Sequence, residues 1–260
     1  MKKIAFILTL LITSISFAGN ENPFFWGPTG HRVVGEVASK YIKKSTARKI
    51  EKLLDGHSIA EVATHADDIK SDKRFKGFGP WHYVNMELGK SYGDDPVSEK
   101  GDLVKAIDTC MTVLKSDTSS REDKQFYLKL LIHFVGDLHQ PMHVGRSEDL
   151  GGNKIKVTWF GDKSNLHRVW DSDMINGYEM SYTEIADNYP KLTRRQVKFL
   201  QKGSVLDWVA DTQKLVEEVY ASAEDGDKLS YLYMYENFPK VKVQLEKGGV
   251  RLAKMLDEAF

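Results

Sequence analysis

The sequence predicts an all-α, mainly helical fold in a single domain, with one short β-hairpin. Three observations carry this expectation. Apolar residues recur at the helical period of 3.6 through most of the chain, whereas strict alternation is confined to Lys154 to Phe160. No internal repeat, low-complexity tract or long linker divides the 260 residues. About 240 residues remain after an N-terminal leader, enough to bury one full core.

The leader comes first. Lys2 and Lys3 precede an apolar run from Ile4 to about Ile12, and Ser16-Phe17-Ala18 puts small residues where a signal peptidase reads. Residues 1–18 therefore read as a secretory signal too short to span a bilayer. A helix is expected over 29–43, where Val33, Val34, Val37, Ala38, Tyr41 and Ile42 form an apolar face. Thr46 begins another, and Ser58 caps a third running through Ile59 and Val62 to Ile69. Gly77 to Pro80 and Lys90 to Glu99 read as loops.

Helices at about 100–117 and 122–139 follow. The second is apolar almost all round (Phe126, Leu128, Leu130, Leu131, Phe134, Val135, Leu138), so it should lie buried at the centre. Gly151-Gly152 interrupts the pattern, and Gly161-Asp162 turns the strand Lys154 to Phe160 back as a hairpin. Helices resume at about 166–175, 180–190, 192–200, 204–223, 229–236 and 240–258.

Composition narrows the function. Lysine plus arginine equals aspartate plus glutamate at 37 each, and losing residues 1–18 removes two lysines and no acid. A near-neutral balance argues against a protein that grips nucleic acid by a broad basic face through many phosphates. It leaves open an enzyme that grips one phosphate through metal ions. The single cysteine, Cys110, rules out a disulfide scaffold and reads as a small core residue.

Placement of the eight histidines points to metal. His133 and Asp137 stand four apart on the buried helix, so both leave one face; His167 and Asp171 repeat the spacing. His143 follows Pro141, and His31, Asp67 and His82 lie upstream. A lone His–Asp pair at this spacing is often a helix-surface hydrogen bond. A buried pair is expensive unless a cation sits beside it, and imidazole with carboxylate suits zinc. Spacing alone leaves the number of ions and the reaction open.

Order in the chain says more. Trp26-Gly27-Pro28-Thr29-Gly30-His31, Ala66-Asp67-Asp68-Ile69-Lys70, Trp81-His82-Tyr83-Val84-Asn85, the run His133 to His143, Gly151-Gly152-Asn153 and Asn165 to Asp171 occur in succession. Together with Gly248-Gly249-Val250-Arg251-Leu252-Ala253 they resemble the S1/P1 nuclease family over residues 26–258. The resemblance implies a phospholipase C/P1 nuclease-like fold holding three zinc ions. One would take Asp67, His82, His133 and Asp137, and a second His143, His167 and Asp171. The third would take the amine and carbonyl of Trp26 with His31 and Asp137, which then bridges two metals.

The same resemblance implies metal-assisted hydrolysis of single-stranded DNA and RNA to 5′-phosphates, with 3′-nucleotidase activity. It assigns catalytic parts to Asp67, Lys70 and Asn153, and contacts with the base to Tyr83 and Asn85. Their plain alternatives are a solvated lysine at 70, a turn residue at 153 and ordinary packing at 83 and 85. Asn85 stands where better-known members carry an aspartate, so base preference is open to change, since asparagine donates as well as accepts. His65 replaces a usual tryptophan; His65, His139 and His57 are expected not to be ligands.

The enzyme is expected to be a periplasmic or secreted monomer, with nucleic acid and nucleotides as substrates and no membrane span. Signal cleavage before Gly19 leaves seven residues ahead of Trp26, so either trimming to residue 25 follows, or cleavage is displaced, or the third site is incomplete; processing that exposes Trp26 is the expectation. A phospholipase C-type phosphodiesterase and a non-catalytic zinc-binding export protein are the rival readings; Tyr83 and the Gly151-Gly152-Asn153 turn favour the nuclease.

Overall fold

The computed structural model describes residues 27–260. The signal segment, its trimming site and Trp26 lie outside the described residues. Helix α6, Arg121–Leu138, starts on a Ser120 side chain that accepts the Asp123 N–H, with Glu122 and Asp123 in its first turn complementing the dipole. Every residue from Leu130 to Leu138 is buried, as its all-round apolar pattern predicts.

Around α6 pack α1 (Pro28–Tyr41), α5 (Leu103–Lys115), α11 (Val205–Ala221) and α12 (Tyr231–Ala259). Short helices complete the shell: α2 (Lys44–Leu53), α3 (Ile59–Val62), α4 (His65–Ile69), α9 (Tyr182–Asp187) and α10 (Arg194–Leu200). Trp170, Trp208, Phe134 and Leu131 are among the largest fully buried side chains. Among the described residues no helix is long and apolar enough to cross a membrane.

The hairpin forms from β1 (Lys156–Trp159) and β2 (Asp162–Asn165), paired antiparallel with Trp159 opposite Asp162. Its turn residues are Phe160 and Gly161, one position earlier than expected, both at positive φ as a two-residue hairpin turn requires. The hairpin does not account for all the β-structure. β3 (Lys228–Leu229) adds in parallel to β1, a two-residue strand too short to leave a periodic signal.

Four further expectations are corrected. The segment 58–69 is two helices rather than one, parted at Ala63 and Thr64. Gly77 to Pro80 lie inside a run of 3-10 turns, Lys73–His82, whose aromatic side chains pack on α6. The helices expected at 229–236 and 240–258 are one continuous α12 carrying Pro239 within it; tertiary packing over 29 residues outweighs the local penalty of proline.

The stretch expected as a helix over 166–175 is composite: α7 (Leu166–Arg168), one π-helical turn (Val169–Asp173) and α8 (Met174–Gly177). The Met174 N–H reaches the Val169 carbonyl, five residues back.

Candidate metal centre

Helix α6 presents His133 and Asp137 on one face, both fully buried. The His133 ring is oriented from behind. Its Nδ1–H donates to the Ala63 carbonyl at 2.8 Å, in the break between α3 and α4, so Nε2 points inward. There it meets His82 Nδ1 at 3.2 Å, Asp137 Oδ2 at 3.3 Å and Asp67 Oδ1 at 3.8 Å. His82 Nδ1 lies 3.0 Å from Asp137 Oδ2 and 3.9 Å from Asp67 Oδ1.

These five separations can be tested against a metal. Four ligands at about 2.0–2.1 Å from a tetrahedral zinc lie about 3.3–3.4 Å from one another. The observed distances, 3.0 to 3.9 Å, bracket that value. Two imidazole nitrogens and two carboxylate oxygens are all donors that zinc accepts. The residues fit the ion.

Charge gives an independent sign. Burial alone would strip the proton from His133, but Asp137 and Asp67 beside it raise its pKa to about 9. Burial also opposes the charge on Asp137, yet His133 and His143 hold it well below the usual carboxylate range. The two carboxylates favour positive charge at His133, whereas burial lowers the pKa of His82 in the same set and of His31 beside it.

A second set comprises His143, His167 and Asp171. His143 Nδ1–H donates to the His82 carbonyl at 2.7 Å and His167 Nδ1–H to the Gly151 carbonyl at 2.8 Å. Each Nε2 is thereby aimed at the cluster, with His143 Nε2 3.8 Å from Asp171 Oδ1. Gln140 Nε2 donates to Asp171 Oδ1 and Ser172 Oγ to Oδ2. Burial, with Asp67 and Asp137 nearby, pushes the Asp171 carboxyl up to about 8 against the pull of His143.

The third set brings His31, His133 and Asp137 together. His31 stacks on His133 with ring centroids 3.7 Å apart, and its Nε2 lies 3.5 Å from Asp137 Oδ1. Among the described residues neither His31 nitrogen has a hydrogen-bond partner, although the residue is buried. Asp137 Oδ1 accepts none from them either: His143 Nδ1 stands 3.2 Å away, but its proton points to the His82 carbonyl. Buried polar atoms left so are costly without another partner, and a cation is one. The two Asp137 oxygens thus face different sets, the arrangement a bridging carboxylate needs.

Trp26, expected in this third set, lies outside the described residues; Gly27, the first described, donates its N–H to the Asp171 carbonyl at 3.0 Å. The other expected residues stand around the sets. Lys70 Nζ lies 3.3 Å from Asp67 Oδ1. Tyr83 and Asn85 are exposed and line a groove of about 710 Å³ with Tyr92, Ser98 and Ser147. The Asn153 amide donates to the Leu150 carbonyl at 2.8 Å, so the turn role is met.

The expected non-ligands are elsewhere. His139 donates to the Val135 carbonyl and meets Arg251; burial, then the arginine's charge, lowers its pKa to about 3, so the ring is neutral. His65 packs on Phe126 and His57 contacts Glu61. Sequence reasoning missed the supports. A Cβ on Gly136 would sit 2.7 Å from His31 Nδ1, so only glycine at that helix position leaves room for the ring. A small residue inside an otherwise bulky apolar helix was the signal available. The Ala63 and Gly151 carbonyls carry no side-chain signal at all.

A family profile described as S1/P1 Nuclease matches residues 26–260. Endonuclease 2 of Arabidopsis thaliana is 30% identical, covering 98% of this chain and 97% of its own. Nuclease S1 of Aspergillus oryzae is 27% identical over 95% of this chain and 96% of its own, and nuclease P1 of Penicillium citrinum 27% over 90% and 97%. The fold is the all-α phospholipase C/P1 nuclease fold, and the activity is hydrolysis of phosphodiester bonds. Three His/Asp clusters around one buried helix, within a chain matched along its length, place this protein in the S1/P1 nuclease family.

Proposed function

We propose that the protein is a zinc-dependent endonuclease that cuts single-stranded DNA and RNA to 5′-phosphate products, with 3′-nucleotidase activity. The observation that carries it is the convergence of Asp67, His82, His133 and Asp137 at separations matching the edges of a zinc tetrahedron. His143, His167 and Asp171 would hold a second ion, and His31, Asp137 and the Trp26 terminus a third. Zinc, when bound, acidifies a water toward neutrality and polarises a phosphoryl oxygen.

The chain's own groups supply the rest. Asp67, at the half-buried rim of its set, is the ligand nearest the solvent and carries Lys70 beside it. Lys70 meets charge developing on the phosphate, and the Asn153 amide donates to a phosphate oxygen once it leaves the Leu150 carbonyl. Tyr83 stacks on a base and Asn85 hydrogen-bonds its edge. Stacking needs a base freed from its neighbours, which favours single strands and is indifferent to sequence.

The protein acts as a monomer outside the cytoplasm, periplasmic or secreted, after processing that exposes Trp26. Products decide the reaction: 5′-mononucleotides from single-stranded DNA support it, and phosphocholine from lecithin supports a phospholipase C-type enzyme instead. His133→Ala should lose metal and cleavage together; a wild type that binds zinc yet cuts nothing would be a zinc-binding protein only. N-terminal sequencing of the exported protein tests the trimming. A chain that begins at Gly19 and still binds three zinc ions contradicts it.

A further inference from the structure

Asp149 is a buried carboxylate outside all three clusters, and its partners are unusually complete. Oδ2 accepts from Arg146 Nε at 3.1 Å and Nη2 at 2.6 Å. Oδ1 accepts the Tyr220 hydroxyl at 2.8 Å and the Gly152 N–H at 2.7 Å. The Tyr220 oxygen in turn accepts the Arg146 N–H at 3.0 Å, and the Arg146 guanidinium lies 4.1 Å over the Tyr220 ring. Arg146, Asp149 and Tyr220 thus form a closed ring of hydrogen bonds tying the end of α11 to the Gly151-Gly152 turn.

That turn is strained. Leu150, Gly151 and Gly152 all have positive φ, at 57°, 62° and 78°, and leucine adopts such a value reluctantly. A Cβ on Gly151 would meet the Met142 carbonyl oxygen at 2.2 Å, so only glycine lets the turn lie this close to the segment that bears His143. The peptide between Gly151 and Gly152 also orients a ligand. Its Gly151 carbonyl receives His167 Nδ1–H and so fixes which nitrogen that ring presents.

We propose that Asp149, held by Arg146 and Tyr220, is a positioning residue for the second metal cluster: it locks the Gly151 carbonyl that orients His167. The inference rests on the three-zinc reading above. Loss of Asp149 frees the turn to relax, and the His167 ring then samples other rotations.

Zinc affinities by chelator competition test it, with no dependence on turnover. Asp149→Ala should weaken one of three zinc equivalents by about 10–100-fold and leave the other two unchanged. His167→Ala should remove the same equivalent, and the double variant should be no worse than His167→Ala alone. Asp149→Asn, which keeps an acceptor for the Gly152 N–H, should recover most of the affinity. Tyr220→Phe keeps the ring over Arg146 and should give a smaller loss at the same equivalent; it decides the matter if Asp149→Ala does not fold. Equal weakening of all three ions, no weakening, or losses that add in the double variant would overturn the assignment. A wild type with fewer than three zinc ions counts instead against the reading beneath it.

Discussion

Gly136→Ala separates the metal centre from the fold. The added Cβ would meet His31 Nδ1 at 2.7 Å and Cε1 at 3.2 Å. Ordinary contact begins near 3.4 Å, so the ring must move by roughly 0.7 Å. It is 1% exposed and stacked 3.7 Å from His133, so it has no free side to move into. Two stability effects oppose each other. Alanine gains about 1 kcal/mol over glycine in a helix, while overpacking costs about 1–3 kcal/mol. The net loss is about 0–2 kcal/mol, a fall in Tm of at most about 8 °C. Metal ligation is less forgiving, because ligand distances tolerate only about 0.2 Å. Metal analysis after dialysis, with melting of the metal-stripped form, should show one zinc equivalent lost while the fold survives. Gly177→Ala, whose Cβ meets only the Trp159 ring at 3.7 Å, is the control and should keep all three ions. Gly136→Ala protein that holds three zinc ions with unchanged affinity would refute the reasoning.

Asp137→Asn should cost more than one ion, because its two oxygens face different sets; metal analysis that shows a single equivalent lost would argue against bridging. Tyr83→Ala should lower kcat/KM on single-stranded DNA by about 5- to 150-fold, the worth of one stacked base, without changing zinc content. In the metal-stripped protein, His133 (about 9) and Asp171 (about 8) hold protons above their unfolded values, while buried His139 (about 3) works the other way below about 6.5, so stability should fall as pH rises from about 6.5 to 9. Zinc binding requires His133 and Asp171 deprotonated, so the Tm gap between loaded and stripped protein should widen from pH 5 to 8; a constant gap contradicts this. Cys110 is buried and burial pushes its thiol up, so thiol reagents should label it only as the protein unfolds.

The helical character and the central role of α6 were legible because burial on every side leaves an unbroken apolar pattern. The ligands were legible for a related reason: the i, i+4 pairs fall on one face, and motif order brought in Asp67, His82 and His31 from distant segments. Spacing alone could not pair His31 with His133, since that contact depends on how α1 crosses α6 at Gly136. The carbonyls of Ala63, His82 and Gly151, which set the imidazole orientations, belong to a helix break, a 3-10 end and a turn. Backbone acceptors of this kind are independent of side-chain identity. The same holds for Pro239 and β3, where tertiary packing decides what local preference leaves undetermined.

The most direct test titrates a zinc chelator against the processed protein and follows bound zinc and 5′-mononucleotide release from single-stranded DNA in the same samples. Three zinc ions at the start, with cleavage lost as zinc is removed and regained on its return, and duplex DNA cut far more slowly, are the expected results. Cleavage that persists after the zinc has gone, or equal rates on single-stranded and duplex DNA, would contradict the account.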